Sequence, residues 1–387
     1  MKRFVFLLLI FGSLFTLNVT AQEITQPFKE VVPPSPTVAN LMNFEEVPVS
    51  LYTGSPNISI PLFSRPISGN MGINLQLSYN SSGIRVDQRS SWTGTGWSLM
   101  AGGTISRTVK DVPDEAQQQA TSLNSSQTGI WFNDYHLYET MAQADKEEFL
   151  WMANAGSEKY DTQPDVYQFN FMGKTGRFSI VKNSAGVLEP RLISRNEKIR
   201  IEPQFNTAQN KIDGFILTDA TGYIYEFSAI DGTLSSAVTN SMSQYGNFST
   251  SSGLPTELRS AWHLTSISKK SNVNIPNSKV LLASFNYVAV NESYSTASNL
   301  TINLPVGGTP AYSDTPKGNY NKGQILPLTT STYMGMNVAT QKLTSIDLPD
   351  SSQIVFTHSL GHPEYGGGAV LDRVTLKSRE GMRCTTI

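Results

Sequence analysis

Cysteine is all but missing: Cys384 stands alone in 387 residues. No disulfide can close within the chain, so stability has to come from packing. Nothing near Cys384 in the sequence marks it as a reactive thiol. Charge is thin, at 16% Asp, Glu, Lys and Arg, against roughly 25% in an average soluble protein. Its sign is nearly balanced, with 29 basic and 31 acidic residues and a net charge of −2. Two of the basic residues, Lys2 and Arg3, fall in a leader, so the remainder is more acidic still. Holding a phosphate backbone needs a basic surface, and the composition therefore argues against a nucleic-acid partner. Long apolar runs are absent outside Phe4–Leu17. That run has about 14 residues, short of the roughly 20 a spanning helix needs, so no transmembrane segment is expected.

Aromatic residues reach 10%, beside 29 Gly and 20 Pro. Disordered chains have few aromatics and much charge, and long coiled coils are rich in Ala, Glu, Lys, Leu and Arg. Both classes are excluded, and a β-rich, turn-rich chain fits. Lys2 and Arg3, the apolar run and the small residues Val19-Thr20-Ala21 read as a secretory signal peptide over 1–21. No Cys follows the apolar run, so a lipidated terminus is not expected. The leader predicts export to the periplasm, the cell surface or the medium.

Residues 22–44 read as a Pro-rich linker, extended around Val31-Val32-Pro33-Pro34-Ser35-Pro36. A first β segment spans 45–112. In it Ile58–Leu62 alternates, with Pro61 pointing to an edge or a strand end. Ile73, Leu75, Leu77 and Tyr79 fall on one face of a strand whose other face is polar. Gly94, Gly96, Gly102 and Gly103 beside Trp92 and Trp97 predict bulged backbone under large rings. Residues 113–164 read as a polar insertion carrying one helix over about 134–153. A second β segment spans 165–377. It opens with a hairpin turning at Gly173–Gly176, where Tyr167, Phe169 and Phe171 face Phe178 and Ile180. A second hairpin turns at Asp219–Gly222. The Ser/Thr/Asn/Gly-rich stretches 232–256 and 291–332 read as long surface loops, and later strands are expected at 342–348, 354–358 and 371–376. The tail 378–387 shows no pattern. The fold class is mainly β: an antiparallel β-sandwich or curved β-sheet with long loops and one short helical insertion.

Catalytic and metal motifs are weak. Gly94-Thr95-Gly96 lacks the third glycine and the helix of a dinucleotide site. His358 and His362 have zinc spacing, but Gly361 and Pro363 argue against the helix that spacing requires. No Gly-x-Ser-x-Gly elbow occurs. His263 lies opposite Trp262 and Leu264 in an alternating segment, and reads as a solvated strand residue. Asp145-Lys146-Glu147-Glu148 reads as a solvated helix face. Asp111, Asp114 and Glu115 lack the spacing of a calcium loop. No catalytic residue, metal site or cofactor is expected.

Several segments resemble the N-terminal region of secreted RHS/YD-repeat proteins of the Bacteroidetes type. The resemblance extends, more distantly, to the N-terminal domain shared by Salmonella virulence plasmid B and the B components of insecticidal toxin complexes. It is carried by Val47–Leu62, Leu77–Ile84, Gly94–Leu99, Ala101–Arg107, Pro164–Phe171 with Gly173 and Gly176-Arg177-Phe178, Ala261–Leu264 and Leu371–Val374. Its structural motif positions are Gly94, Gly96, Trp97, Gly102, Gly103, Arg107 and Trp262. Thr95 and Met100 depart from the usual Leu and Asn. Such proteins continue into YD repeats that build a hollow shell and then into a variable toxin. This chain stops at Ile387 without that array, as a truncated frame or a short paralogue would. The ADP-ribosyltransferase activity of one branch lies in a domain with no counterpart here, so the resemblance implies no catalytic residue.

The expected function is a non-enzymatic, exported β-sheet scaffold. Its partners would be other RHS-type shell segments or cell-envelope proteins, meeting it at unpaired sheet edges. The alternative is a secreted carbohydrate-binding or adhesive module, in which exposed rings among Trp92, Trp97, Trp131, Trp151 and Trp262 stack on glycans. Core packing is the expectation for Trp97 and Trp262. A secreted hydrolase is the third reading, and would need a pocket of convergent carboxylates or histidines.

Overall fold

A computed structural model describes residues 56, 58–69, 71–80, 89–110, 112–116, 128–154, 160–194, 198–206, 210–242, 248–252, 256–271, 278–303, 328–378 and 383–386. The leader, the linker, Asp111 and the motif residues before Pro56 lie outside these. Ser50–Ile387 forms one compact unit. In it β1 (Ile58–Ser68), β2 (Met71–Tyr79) and β3 (Trp97–Met100) make a three-stranded antiparallel sheet in that order. Pro61 sits on the edge strand β1 beside a register shift, where its missing N–H breaks no inner ladder. Ile73 and Leu75 are fully buried, as the alternation of β2 requires.

The remaining strands build one 14-stranded sheet. They are β4 (Gly103–Thr108), β5 (Val166–Phe171), β6 (Lys174–Lys182), β7 (Leu188–Leu192), β8 (Ile199–Asn206), β9 (Lys211–Asp219), β10 (Tyr223–Met242), β11 (Phe248–Ser252), β12 (Thr256–Lys270), β13 (Lys279–Asn303), β14 (Leu328–Asp347), β15 (Gln353–Leu360), β16 (Ala369–Lys377) and β17 (Arg383–Thr386). The main path runs β17-β16-β15-β14-β10-β12-β4-β5-β6-β7, with β13 spanning β12 and β14, and β8 joined through β9 to β10. The fold is mainly β and antiparallel. Its core is aromatic: Trp262, Tyr167, Tyr225, Phe169, Phe171, Phe178, Phe215 and Phe227 are fully buried.

The β5–β6 hairpin forms as expected, with Tyr167 stacked on Phe178 at 5.2 Å. Its turn is tighter than expected. Phe171 pairs with Lys174 across Met172-Gly173, both at positive φ, the two-residue geometry that matches strand twist. Gly176 instead lies inside β6 opposite Phe169.

Three expectations are corrected. Much of 232–256 and 291–332 is strand: β10, β13 and β14 run 20, 25 and 20 residues. The tail is not patternless, since β17 pairs with β16 at Thr375–Thr386 and Leu376–Thr385. The single helix is broken. A 3₁₀ turn at Tyr135–Thr140 ends at extended Met141, and α1 (Gln143–Ala153) follows. The break brings the Tyr138 and Phe149 rings within 5.8 Å, and Phe149 is the buried residue of α1.

Candidate functional site

The glycine motif is built for backbone geometry. Two successive tight turns, closed by Gly94 N–H to Ser91 C=O at 3.0 Å and Trp97 N–H to Gly94 C=O at 3.2 Å, lead into β3. Gly96 sits at φ +76°, where a side chain would also meet the Tyr79 ring at 2.7 Å. Trp97 is half-buried, tilted on Tyr79 at 5.1 Å, and so is not the core residue expected. Gly102 faces the Phe285 ring, and Gly103 lies so near Phe171 that a Cβ would stand 2.2 Å from that residue's Cβ. The rings closest to bare backbone here are therefore Tyr79 at Gly96 and Phe285 at Gly102. Trp262 is buried as expected and donates its Nε1–H to Ile212 C=O at 3.1 Å.

Arg107 holds the insertion shut. Its guanidinium donates from Nε to Asp165 Oδ2 at 2.8 Å and, through both Nη atoms, to the two oxygens of Glu115. Asp165 also accepts the N–H groups of Lys110 at 2.7 Å and Asp114 at 3.2 Å. One buried cation thus ties the entry of the insertion, at Glu115, to its exit at Asp165. Asp114 is fully buried, and its Oδ2 finds no partner. Burial, with the neighbouring charge of Asp165, pushes its carboxyl up to about 8.

The unfolded carboxyl titrates near 4, so between about pH 4 and 8 the folded state binds a proton that the unfolded chain has released. Stability from this group is full at low pH and is lost as pH rises toward 8. Asp114→Asn, which keeps the acceptor for Asp165 N–H, should flatten that loss. Urea unfolding at pH 5 and pH 8 should show wild type losing about 2 kcal/mol or more relative to the variant. Parallel pH profiles would contradict the assignment.

The two histidine clusters differ in polarity. Buried His362 accepts Glu364 N–H on Nδ1 at 3.2 Å, so its proton sits on Nε2 and points at Ser90 Oγ, 3.3 Å away, and Ser91 C=O. It cannot take a proton from Ser90 in that state. His263 carries its proton on the same nitrogen, but turns its lone pair rather than its N–H toward the neighbouring hydroxyl. Its Nε2 meets Asp231 Oδ2 at 2.9 Å, which puts the proton there, and its Nδ1 accepts the Thr104 hydroxyl at 3.2 Å. Asp231 is fixed further by Gln341 N–H at 2.6 Å. His263 does face away from Trp262, but its side of the sheet is partly covered there: Tyr287 lies 5.5 Å from the imidazole ring. It is half-buried, which corrects the solvated strand residue expected.

Thr104, Asp231 and His263 line a cleft of 1070 Å³, to which β2 contributes Asn74 and Gln76 and the 89–96 turn region contributes Trp92. Asp219 lies at the same cleft. Burial opposes its charge, but hydrogen bonds from Thr221, Tyr223 N–H and Tyr225 outweigh that and hold its carboxyl below the usual carboxylate range. No local pattern marks this cleft, because most of its residues meet through strand register. Of the motif positions, Gly102 and Gly103 border it, whereas Arg107 and Trp262 do not. Among the described residues no group of His, Cys, Asp or Glu could hold a metal ion, and no helix is long and apolar enough to cross a membrane.

No family model matches the chain, and no curated protein does. Among solved structures it is similar to the N-terminal domain of the effector protein SpvB from Salmonella typhimurium strain LT2. Identity is 11% and the TM-score 0.33, over 85% of this chain and 92% of that one. A likeness this loose sets neither topology nor activity for the chain.

Proposed function

We propose that this chain is a non-enzymatic, exported β-sheet scaffold, of the kind that stands at the front of RHS-type proteins. One observation carries the reading. β10, β14 and β13 are neighbouring strands of 20–25 residues, where ordinary strands run about 3–10. Among the described residues β14 is flanked by β10 and β13, and β10 by β12, β11 and β14, so the long edge on which further sheet can be built is the outer edge of β13, bridged at Ser293 to Gly366. Other RHS-type shell segments or cell-envelope proteins would meet the scaffold at its free strand edges. Export follows from the leader.

An activity assay tests the absence of chemistry. Purified protein and His263→Gln should give the same background rates on peptidoglycan, p-nitrophenyl esters and p-nitrophenyl glycosides. Turnover by wild type that disappears in His263→Gln would make the chain a hydrolase.

A further inference from the structure

We propose that the cleft at Asp231–His263–Thr104 is a binding site for a neutral, extended polyhydroxylated ligand, a short oligosaccharide. Three observations lead there. The first is shape. Gln341, Asp231, His263, Thr104 and Asn170 stand on the five successive strands β14, β10, β12, β4 and β5. His263, Thr104 and Asn170 are direct cross-strand partners and so share a face. At the spacing of paired strands the row is roughly 19 Å long, which suits a chain of sugars better than a single small molecule. The cleft's 1070 Å³ agrees with that size.

The second is charge. Lys174 pairs with Asp219 at 3.6 Å and Lys342 with Glu292 at 2.8 Å, while Lys269 lies over the Tyr223 ring and Asp231 accepts from His263 Nε2, so the two wall charges outside these ion pairs are of opposite sign. Such a wall exerts little pull on an ion but offers many hydrogen bonds. Amides at Asn74, Gln76 and Asn170 each donate and accept, as sugar hydroxyls do. The Trp92 and Tyr287 rings give apolar faces for the C–H side of a pyranose.

The third is preorganisation. The Asp231 carboxylate fixes the imidazole proton on Nε2, and the imidazole then fixes the Thr104 proton toward Nδ1. The lone pairs of Thr104 Oγ1 are left to accept from a ligand hydroxyl, strengthened by the chain behind them. The cost of ordering these side chains is met in the free protein.

The site does not rest on the scaffold reading, and its failure would leave that reading untouched. Calorimetric titration of the purified chain with maltotetraose, cellotetraose and chitotetraose, each to about 10 mM, tests it. At least one should bind saturably, while tetragalacturonic acid should bind more weakly. Thr104→Val, which keeps the shape and removes the hydroxyl, should weaken binding about tenfold, the worth of one good hydrogen bond. Asn170→Ala, on the exposed end of the row, should weaken it severalfold and serves if the first variant does not fold. Absence of binding to all three neutral sugars, preference for the polyuronate, or affinity unchanged in the folded variants would each overturn the proposal.

Discussion

Arg107→Ala should lower the free energy of unfolding by about 3–5 kcal/mol, because it strands two carboxylates in a dry site rather than removing one contact. The Arg107 side chain is 2% exposed, Glu115 9% and Asp165 0%. With the guanidinium gone, Asp165 keeps only two backbone N–H donors, and Glu115 loses both of its bonds to Arg107. The buried Asp165 carboxyl would then favour protonation, so the loss should be larger at pH 8 than at pH 5. Lysine should recover little. It can carry the charge, but it cannot reach two carboxylates with a flat fork of donors. Urea denaturation followed by tryptophan fluorescence reads the effect. Hydrogen exchange should show 128–154 opening before the aromatic core, since Arg107 is what ties the insertion's two ends. A loss under about 1 kcal/mol would mean that the cluster is solvated and ordinary.

How far the sequence disclosed this structure depended on whether a single strand carries the signal. Where one face of one strand is apolar, as at Ile73 and Leu75 or at Tyr167, Phe169 and Phe171, alternation located the element and its buried face. Where stability comes from ladders between long strands, composition misled. Ser, Thr, Asn and Gly along 232–242 and 291–303 look like loop, yet each stretch is paired along its length with β14. A backbone ladder needs no apolar side chain, and the partner that satisfies it lies far along the chain. The same reason hid the cleft. Thr104 and His263 are 159 residues apart and Asp231 is 32 from His263. Their meeting is a property of register, which no local pattern states. For His263 alternation gives the right face but not its surroundings: Tyr287 packs beside the imidazole and leaves it half-buried at the cleft wall. Arg107 was legible only as part of a motif. Its role emerged from Asp165, 58 residues on.

Trp262 offers the sharpest test of the aromatic core, because two substitutions at it should separate volume from hydrogen bonding. Trp262→Ala should cost about 3–5 kcal/mol. The ring is fully buried, edge-on to Phe215 at 5.0 Å and 5.9 Å from Tyr167, so its removal opens a void among rings that cannot all close in. Trp262→Phe should cost less, about 1–2 kcal/mol. Most of the volume stays, and the Ile212 carbonyl that loses the indole N–H still accepts from Arg259 at 2.7 Å. If the two variants were equally damaging, the indole hydrogen bond rather than packing would dominate. If both were mild, the cluster around Phe215 would have to be looser than its ring distances state. The position has a second consequence, since Trp262 and His263 are adjacent on β12 and point to opposite faces. The packing under Trp262 therefore sets the height at which His263 meets Asp231 and Thr104. Trp262→Phe, with the core nearly intact, should preserve that geometry, whereas Trp262→Ala should degrade the cleft in step with the fold.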